Sequence, residues 1–258
     1  MATAKEILAL AVEMGDTLLR NGAEVYRVED TVIHILRAYE VEDFDVYVLS
    51  NGIFASANVN RDDACSLIRH VPLGSTHLGR IAALNRLSRD ISSGECTLEE
   101  AWARLEECKS IPYGKNWVCI LACGVGCACF SLIFGGGLPD AAAAFLDGML
   151  LQGFLILQRR GKTSKFIVNI LGSALVTLFS MIVLSLGFPI MYDKVIIGTI
   201  MPLVPGIALT TSIRDFFNGD YLSGAIHMID AILTAFCIAV GVGIVITIYR
   251  GLTGGVLL

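Results

Sequence analysis

Charge nearly vanishes from the second half of this chain: only six of its 24 acidic residues and seven of its 19 Lys and Arg follow Asn116. A stretch that poor in charge cannot present a soluble surface, so solubility in water is excluded for it. A basic surplus is missing too. The net charge is −5, carried mostly before Trp117, so nothing forms a positive stripe along a phosphate backbone and nucleic acid is not an expected partner. Catalytic signatures are absent: there is no Gly-x-Ser-x-Gly, no His-Glu-x-x-His and no phosphate-binding loop. His34, His70 and His77 lack metal-ligand spacing, so no catalytic residue, metal or cofactor is expected. The eight cysteines make no disulfide framework, because Cys65, Cys96 and Cys108 lack C-x-x-C pairing and belong to a reducing compartment. Nor is a signal peptide expected, since Glu6, Glu13 and Asp16 interrupt the start.

What the chain does have is five long apolar runs, at residues 117–134, 138–157, 166–188, 195–212 and 224–249. At about 1.5 Å of rise per residue, each approaches or exceeds the roughly 30 Å of a hydrocarbon core. Lipid leaves the backbone only helices or closed barrels, and this run length selects helices. The expected fold is an α+β cytosolic domain (residues 1–110), a linker (111–116) and an all-α polytopic membrane domain of five transmembrane helices (117–258). Arg159, Arg160, Lys162 and Lys165 crowd the loop between the second and third spans, which makes that loop cytoplasmic by the positive-inside bias. Counting hairpins then puts the N-terminus in the cytoplasm of a cell (inner) membrane protein, the loop from Ile213 to Ser223 inside, and the C-terminus outside.

In the first domain, apolar stripes at residues 4–20 and 24–39 predict two helices. Alternation at Phe44, Val46, Val48 and at Ile53, Ala55, Ala57 predicts a hairpin about Ser50-Asn51-Gly52, with a third strand near Cys65 to Val71. Two more helices follow near 76–92 and 98–108, the second opened by Thr97 and Glu100. The polar run Gly22-Ala-Glu-Val-Tyr-Arg-Val-Glu-Asp30 places Glu24 beside Arg27, and Tyr26 beside Asp30, with Glu29 between. It reads either as a solvated face with helix salt bridges or as an active site, and the absence of a nucleophile beside a base favours the first.

Acids at bilayer depth are costly unless they face protein or water, so each is a functional candidate. Asp147 lies mid-span, with Asp140 one heptad earlier near the outer rim; Asp230 lies in the last span, one turn after His227. These acids fit either a protonatable solute path or an interhelical clasp. Pro202, Pro205 and Gly206 break the fourth span near mid-membrane, freeing carbonyls near Gly198 and Met201, with Thr210, Thr211 and Ser212 beyond. Such a break is either a binding site or a static kink. Arg214, Asp215 and Asp220, among Phe216, Phe217 and Tyr221, form an interfacial anchor or an inner gate. Cys119, Cys123 and Cys127 share a helix face with Cys129 nearby; a thiolate ladder competes there with plain packing, which Gly124 and Gly126 favour.

Met201-Pro-Leu-Val-Pro-Gly206, continuing through Thr210-Thr-Ser-Ile-Arg-Asp-Phe-Phe-Asn-Gly-Asp-Tyr-Leu-Ser-Gly224, closely resembles the signature of the threonine/serine exporter family. The segments Gly22 to Asp30 and Gly135-Gly-Gly-Leu-Pro-Asp140 match as well, and the resemblance covers essentially the whole chain. It implies gradient-driven export of a small hydrophilic metabolite: threonine and serine, or, in two-gene members, a dicarboxylate such as succinate. Full-length members carry about ten spans, so five spans resemble the larger subunit of the split type. A second small integral membrane subunit, entering inverted, is the implied partner; assembly with copies of itself is the alternative. The family also attaches a suspicion of enzymatic function to the Glu24/Arg27 cluster, which keeps open a membrane-anchored hydrolase, and a regulatory membrane subunit is a third class.

Overall fold

Thr3 and Thr97 open two helices by the same device. Each threonine hydroxyl accepts the amide three residues on (3.3 Å at Glu6, 3.4 Å at Glu100), while that glutamate accepts the threonine amide in return (2.9 and 3.0 Å). The computed structural model describes residues 3–58, 64–72, 74, 76–158 and 163–253. The chain forms two units, Met1–Tyr113 with Thr211–His227, and Gly114–Thr210 with Met228–Leu258.

The first unit holds α1 (Ala4–Arg20), α2 (Val25–Ala38), β1 (Phe44–Leu49), β2 (Gly52–Ala57), β3 (Cys65–His70), α3 (Leu78–Ser92) and α4 (Leu98–Ser110). The strands form one antiparallel sheet in the order β1-β2-β3. Leu49 pairs with Gly52, so the turn is Ser50-Asn51 and the expected Asn-Gly pair is offset by one residue. Alternation aims Val48, Ile53, Ala55 and Ala57 at the helices, where they join Leu8, Met14, Val32, Leu36, Leu84 and Leu105 in one core. On the outer face, Tyr47 stands opposite Phe54 with ring centroids 6.3 Å apart.

The second unit begins with α5 (Asn116–Ile133), α6 (Leu138–Gln158) and α7 (Lys165–Ser185), each long and apolar enough to cross a membrane. Then come α8 (Tyr192–Ile200), a 3-10 turn (Met201–Leu203), α9 (Gly206–Asn218) and α10 (Tyr221–Leu252), the last again long enough to span. Among the described residues the protein thus has four candidate spans, or five if the broken pair Tyr192–Leu203 and Gly206–Asn218, bent by 58°, counts as one. The expected loop from Ile213 to Ser223 is mostly helix. α9 runs on to Asn218, Gly219 turns the chain at a φ of 88°, and α10 starts at Tyr221. Arg159, Arg160 and Lys162, on which the sidedness expectation rests, lie outside the described residues.

Glycine permits close helix approach here: a Cβ on Gly198 of α8 would lie 2.7 Å from the Ser131 backbone nitrogen of α5. α7 and α10 run parallel. Lys165, at the start of α7, pairs with Asp230, and Ser185, at its end, meets the Tyr249 hydroxyl at 3.1 Å, so both helices advance in the same direction.

Candidate functional site

Two groups of polar residues stand out, one in each unit. In the first, Glu24 takes the N-cap position of α2 with extended backbone, yet its carboxylate caps no amide. It turns instead to guanidinium groups: Arg27 Nε lies 3.3 Å from Oε2, and Arg214 pairs with Oε1. Arg27 Nε also donates to the Tyr26 hydroxyl at 2.9 Å. Glu29 accepts the Val48 amide of β1 at 3.3 Å, and partial burial holds its carboxyl above the usual range, the Val48 bond opposing and the nearby Asp220 adding to the shift. Asp30 turns away, to His34 at 3.2 Å.

The segment beyond Thr211 supplies the other half of this group. Asp215 is fully buried, with Oδ2 3.0 Å from His227 Nδ1. The Asp220 amide donates to the Asp215 carbonyl (2.9 Å), Ser212 donates to the Gly224 carbonyl (2.7 Å), and the Ser50 amide of the hairpin turn donates to the Ser223 hydroxyl (3.1 Å). Glu24, Arg27, Glu29, Arg214, Asp215 and Asp220 therefore belong to one polar assembly. The sequence presents them as two unrelated clusters nearly 190 residues apart in the chain. Within the assembly no serine, threonine or cysteine side chain hydrogen-bonds to Glu24 among the described residues, so the carboxylate is an ion-pair partner and is not placed as a base beside a nucleophile.

The second unit separates its acids by role. Asp140 is third in α6 and holds two backbone amides, Gly137 at 2.7 Å and Met191 at 2.6 Å, tying the helix start to the chain entering α8. Asp230 shares its charge with Lys165. Asp147 is different: it is fully buried, takes a long bond from the Ser180 hydroxyl (3.5 Å), and its Oδ1 has no partner among the described residues. Of the helices packed against α6, α5 carries Ser131, α7 carries Ser173, Thr177 and Ser180, and α8 carries Thr199, all fully buried. The Ser131 hydroxyl is likewise unpartnered among the described residues. Ser173, Thr177 and Thr199 donate to carbonyls of their own helices, which leaves the Ser180 hydroxyl for Asp147. Sequence reasoning missed them because each is ordinary alone; their signal was the spacing of Ser173, Thr177 and Ser180 along one face of α7.

At the helix break, Pro202 sits in the 3-10 turn and Pro205 precedes α9. The Met201 carbonyl, expected to be left open, accepts the Val204 amide at 3.1 Å, because a 3-10 turn recruits a donor that an α-helix would not use. The Thr210 hydroxyl similarly covers the Gly206 and Ile207 carbonyls, both at 3.0 Å. Thr211 begins the segment that groups with the first unit. Cys127 packs as a small apolar group, its sulfur 3.9 Å from the Thr199 carbonyl.

Comparison with known proteins gives this geometry its context. A model of the ThrE threonine/serine exporter family matches residues 9–249. A protein named "Probable threonine/serine exporter" from Mycobacterium tuberculosis is 26% identical over 92% of this chain and 45% of its own length. Two proteins named "Probable succinate transporter subunit YjjP", from Klebsiella aerogenes and Escherichia coli, are each 23% identical, over 97% and 98% of this chain and 96% and 98% of their own lengths. The chain thus spans less than half of the mycobacterial relative and nearly all of the other two. No solved structure matches it. With a family match from the first helix almost to the end of α10, and several helices apolar enough to cross a bilayer, this multi-pass membrane protein belongs to the threonine/serine exporter family.

Proposed function

We propose that the chain is one half of a secondary transporter that exports a small hydrophilic metabolite, threonine and serine or a C4-dicarboxylate such as succinate, in exchange for protons. The observation that carries this reading is Asp147: a fully buried carboxyl on α6, packed against three helices that carry buried hydroxyls, with one oxygen unpartnered among the described residues. Polar groups gathered at membrane depth without a complete set of partners favour a path for a polar solute over a finished clasp. A carboxyl on that path can take up and release a proton as the solute passes, which supports coupling to the proton gradient. The neighbouring helix break supports the same reading, since broken helices present backbone groups to solutes in transporters.

The parallel run of α7 and α10 favours five spans. A re-entrant excursion between them would return the chain antiparallel, whereas one full crossing by the broken pair brings α10 back in the direction of α7. Five spans would leave the two ends of the span array on opposite faces, and the cationic sequence after α6 supports a cytoplasmic start. A second, inverted membrane subunit then completes the pathway, in keeping with relatives named as transporter subunits. In the first unit, Glu24 held between two guanidinium groups supports an electrostatic clasp on the Arg214 segment and gives no support to a hydrolase.

The test is flux into proteoliposomes holding this chain with and without the second subunit, screened across serine, threonine and C4-dicarboxylates under an imposed pH gradient. Gradient-dependent flux of one of these solutes, requiring both subunits, is expected. Failure of every solute with both subunits present, or flux indifferent to the gradient, contradicts the proposal.

A further inference from the structure

A second concavity, wholly inside the first unit, has no part in the site above. It is an open cleft of about 540 Å³ among α1, β3, α3 and the end of α4, and among the described residues its wall carries Arg20, Arg69, Arg80 and Lys109 against two acids, Glu13 and Asp16. The acids are already shared out. Asp16 pairs with Arg20 at 2.6 Å, and Glu13 serves both Arg69 (3.1 Å) and Lys109 (2.8 Å). Lys109 also reaches Glu106 at 2.7 Å. No carboxylate pairs with Arg80 among the described residues; its Nε donates to the Ile111 carbonyl at 3.0 Å, and its guanidinium lies 5.8 Å from the Tyr113 ring centre.

From this surplus we infer that the cavity is a binding site for a small dianionic metabolite, its acidic groups carboxylates or a phosphate. Four cations around one hollow repel each other, and two wall acids leave two positive charges over; even with Glu106 counted, one remains. Such a surplus draws an anion into the hollow. Arginine is the residue whose planar fork matches carboxylate and phosphate oxygens in pairs, and three of the four cations are arginines. The four cations come from four different elements, so the site is preformed by the domain fold, and its size lies within the roughly 300–1,000 Å³ of ordinary small-molecule pockets. Arg20 and Arg80 are further fixed by their own bonds to Asp16 and to the Ile111 carbonyl. The inference does not depend on the transport reading, because no residue of the buried membrane group lines the cavity.

The experiment is titration of succinate, inorganic phosphate and serine separately into the full chain in detergent at low ionic strength, followed by isothermal calorimetry and by the rise in Tm. Wild type and the variants Arg69→Gln, Arg80→Gln and Asp147→Asn are compared, with circular dichroism to verify folding. Binding of succinate or phosphate is expected, weakened about tenfold or more in both arginine variants and reduced by added salt. Preference between the two anions tells carboxylate from phosphate and supports the inference either way. Arg80→Lys, which keeps the charge and loses the fork, recovers binding only in part. Absence of binding by either anion at millimolar concentration, binding of zwitterionic serine alone, or binding that survives both folded arginine variants overturns it. Binding lost in Asp147→Asn and kept in Arg80→Gln assigns the ligand to the membrane site and overturns it as well.

Discussion

Asp147 and Asp140 lie seven residues apart on one helix and carry the same chemistry, yet their surroundings separate them. Asp140 spends both oxygens on backbone amides, whereas Asp147 is left with a long hydroxyl bond and an unpartnered oxygen among the described residues. Asp147→Asn keeps the shape and removes the exchangeable proton. Export by the assembled transporter should fall about tenfold or more, the effect of roughly 1.4 kcal/mol, with the protein still inserted and paired; unaltered gradient-driven flux would count against a proton role. For Glu24 and Arg214 the prediction is of small magnitude. Both are partly exposed, so a double-mutant cycle with Glu24→Gln and Arg214→Gln, read from melts, should give about 1 kcal/mol or less and shrink with salt. Glu29 gives a pH signature: its carboxyl is raised in the folded state by burial, so its contribution to stability is complete below pH 4.5, the ordinary glutamate value, and is lost as pH climbs through the folded value. Glu29→Gln should flatten that decline in Tm between acid and neutral pH. At this scale the sequence singled out acids but not their partners, because Lys165 with Asp230 and Arg214 with Glu24 are joined by tertiary structure, which local spacing does not encode.

Helices and strands were far more legible. Capping threonines, alternating strands and long apolar runs are local properties, and α1, β1, β2, α4, α5 and α6 lie within two residues of where those signals put them. The fourth apolar run was legible only as broken. Its division at Val204, and the helical continuation to Asn218, follow from the 3-10 turn and from polar residues in the second half of α9 that bond within the first unit; hydropathy sees neither. Close approach of α8 and α5 depends on Gly198 having no side chain. Gly198→Val must push α8 off the Ser131 backbone, at about 1–3 kcal/mol by the usual measure of overpacking. Unfolding of the purified protein in denaturant should shift accordingly, and a neutral outcome would mean that the two helices are free to part.

For the molecule as a whole, sequence and structure agree on an N-terminal portion with a three-stranded sheet, followed by several membrane-length helices. What no linear reading supplied is the grouping of Thr211–His227 with the first unit. That segment sits between two apolar stretches, and only its contacts to Glu24 and Ser50 reveal its allegiance. The buried hydroxyls on the helices packed against Asp147's own helix come from α5, α7 and α8 and gain meaning only when those helices assemble. The account as a whole rests on water and solute reaching that point. Thr199→Cys, placed in a background lacking the native cysteines and exposed to a membrane-impermeant thiol reagent during transport, tests this directly. The account predicts labelling from the aqueous phase that the transported solute slows; a transporter that stays active while Cys at this position is never labelled, with or without solute, would contradict it.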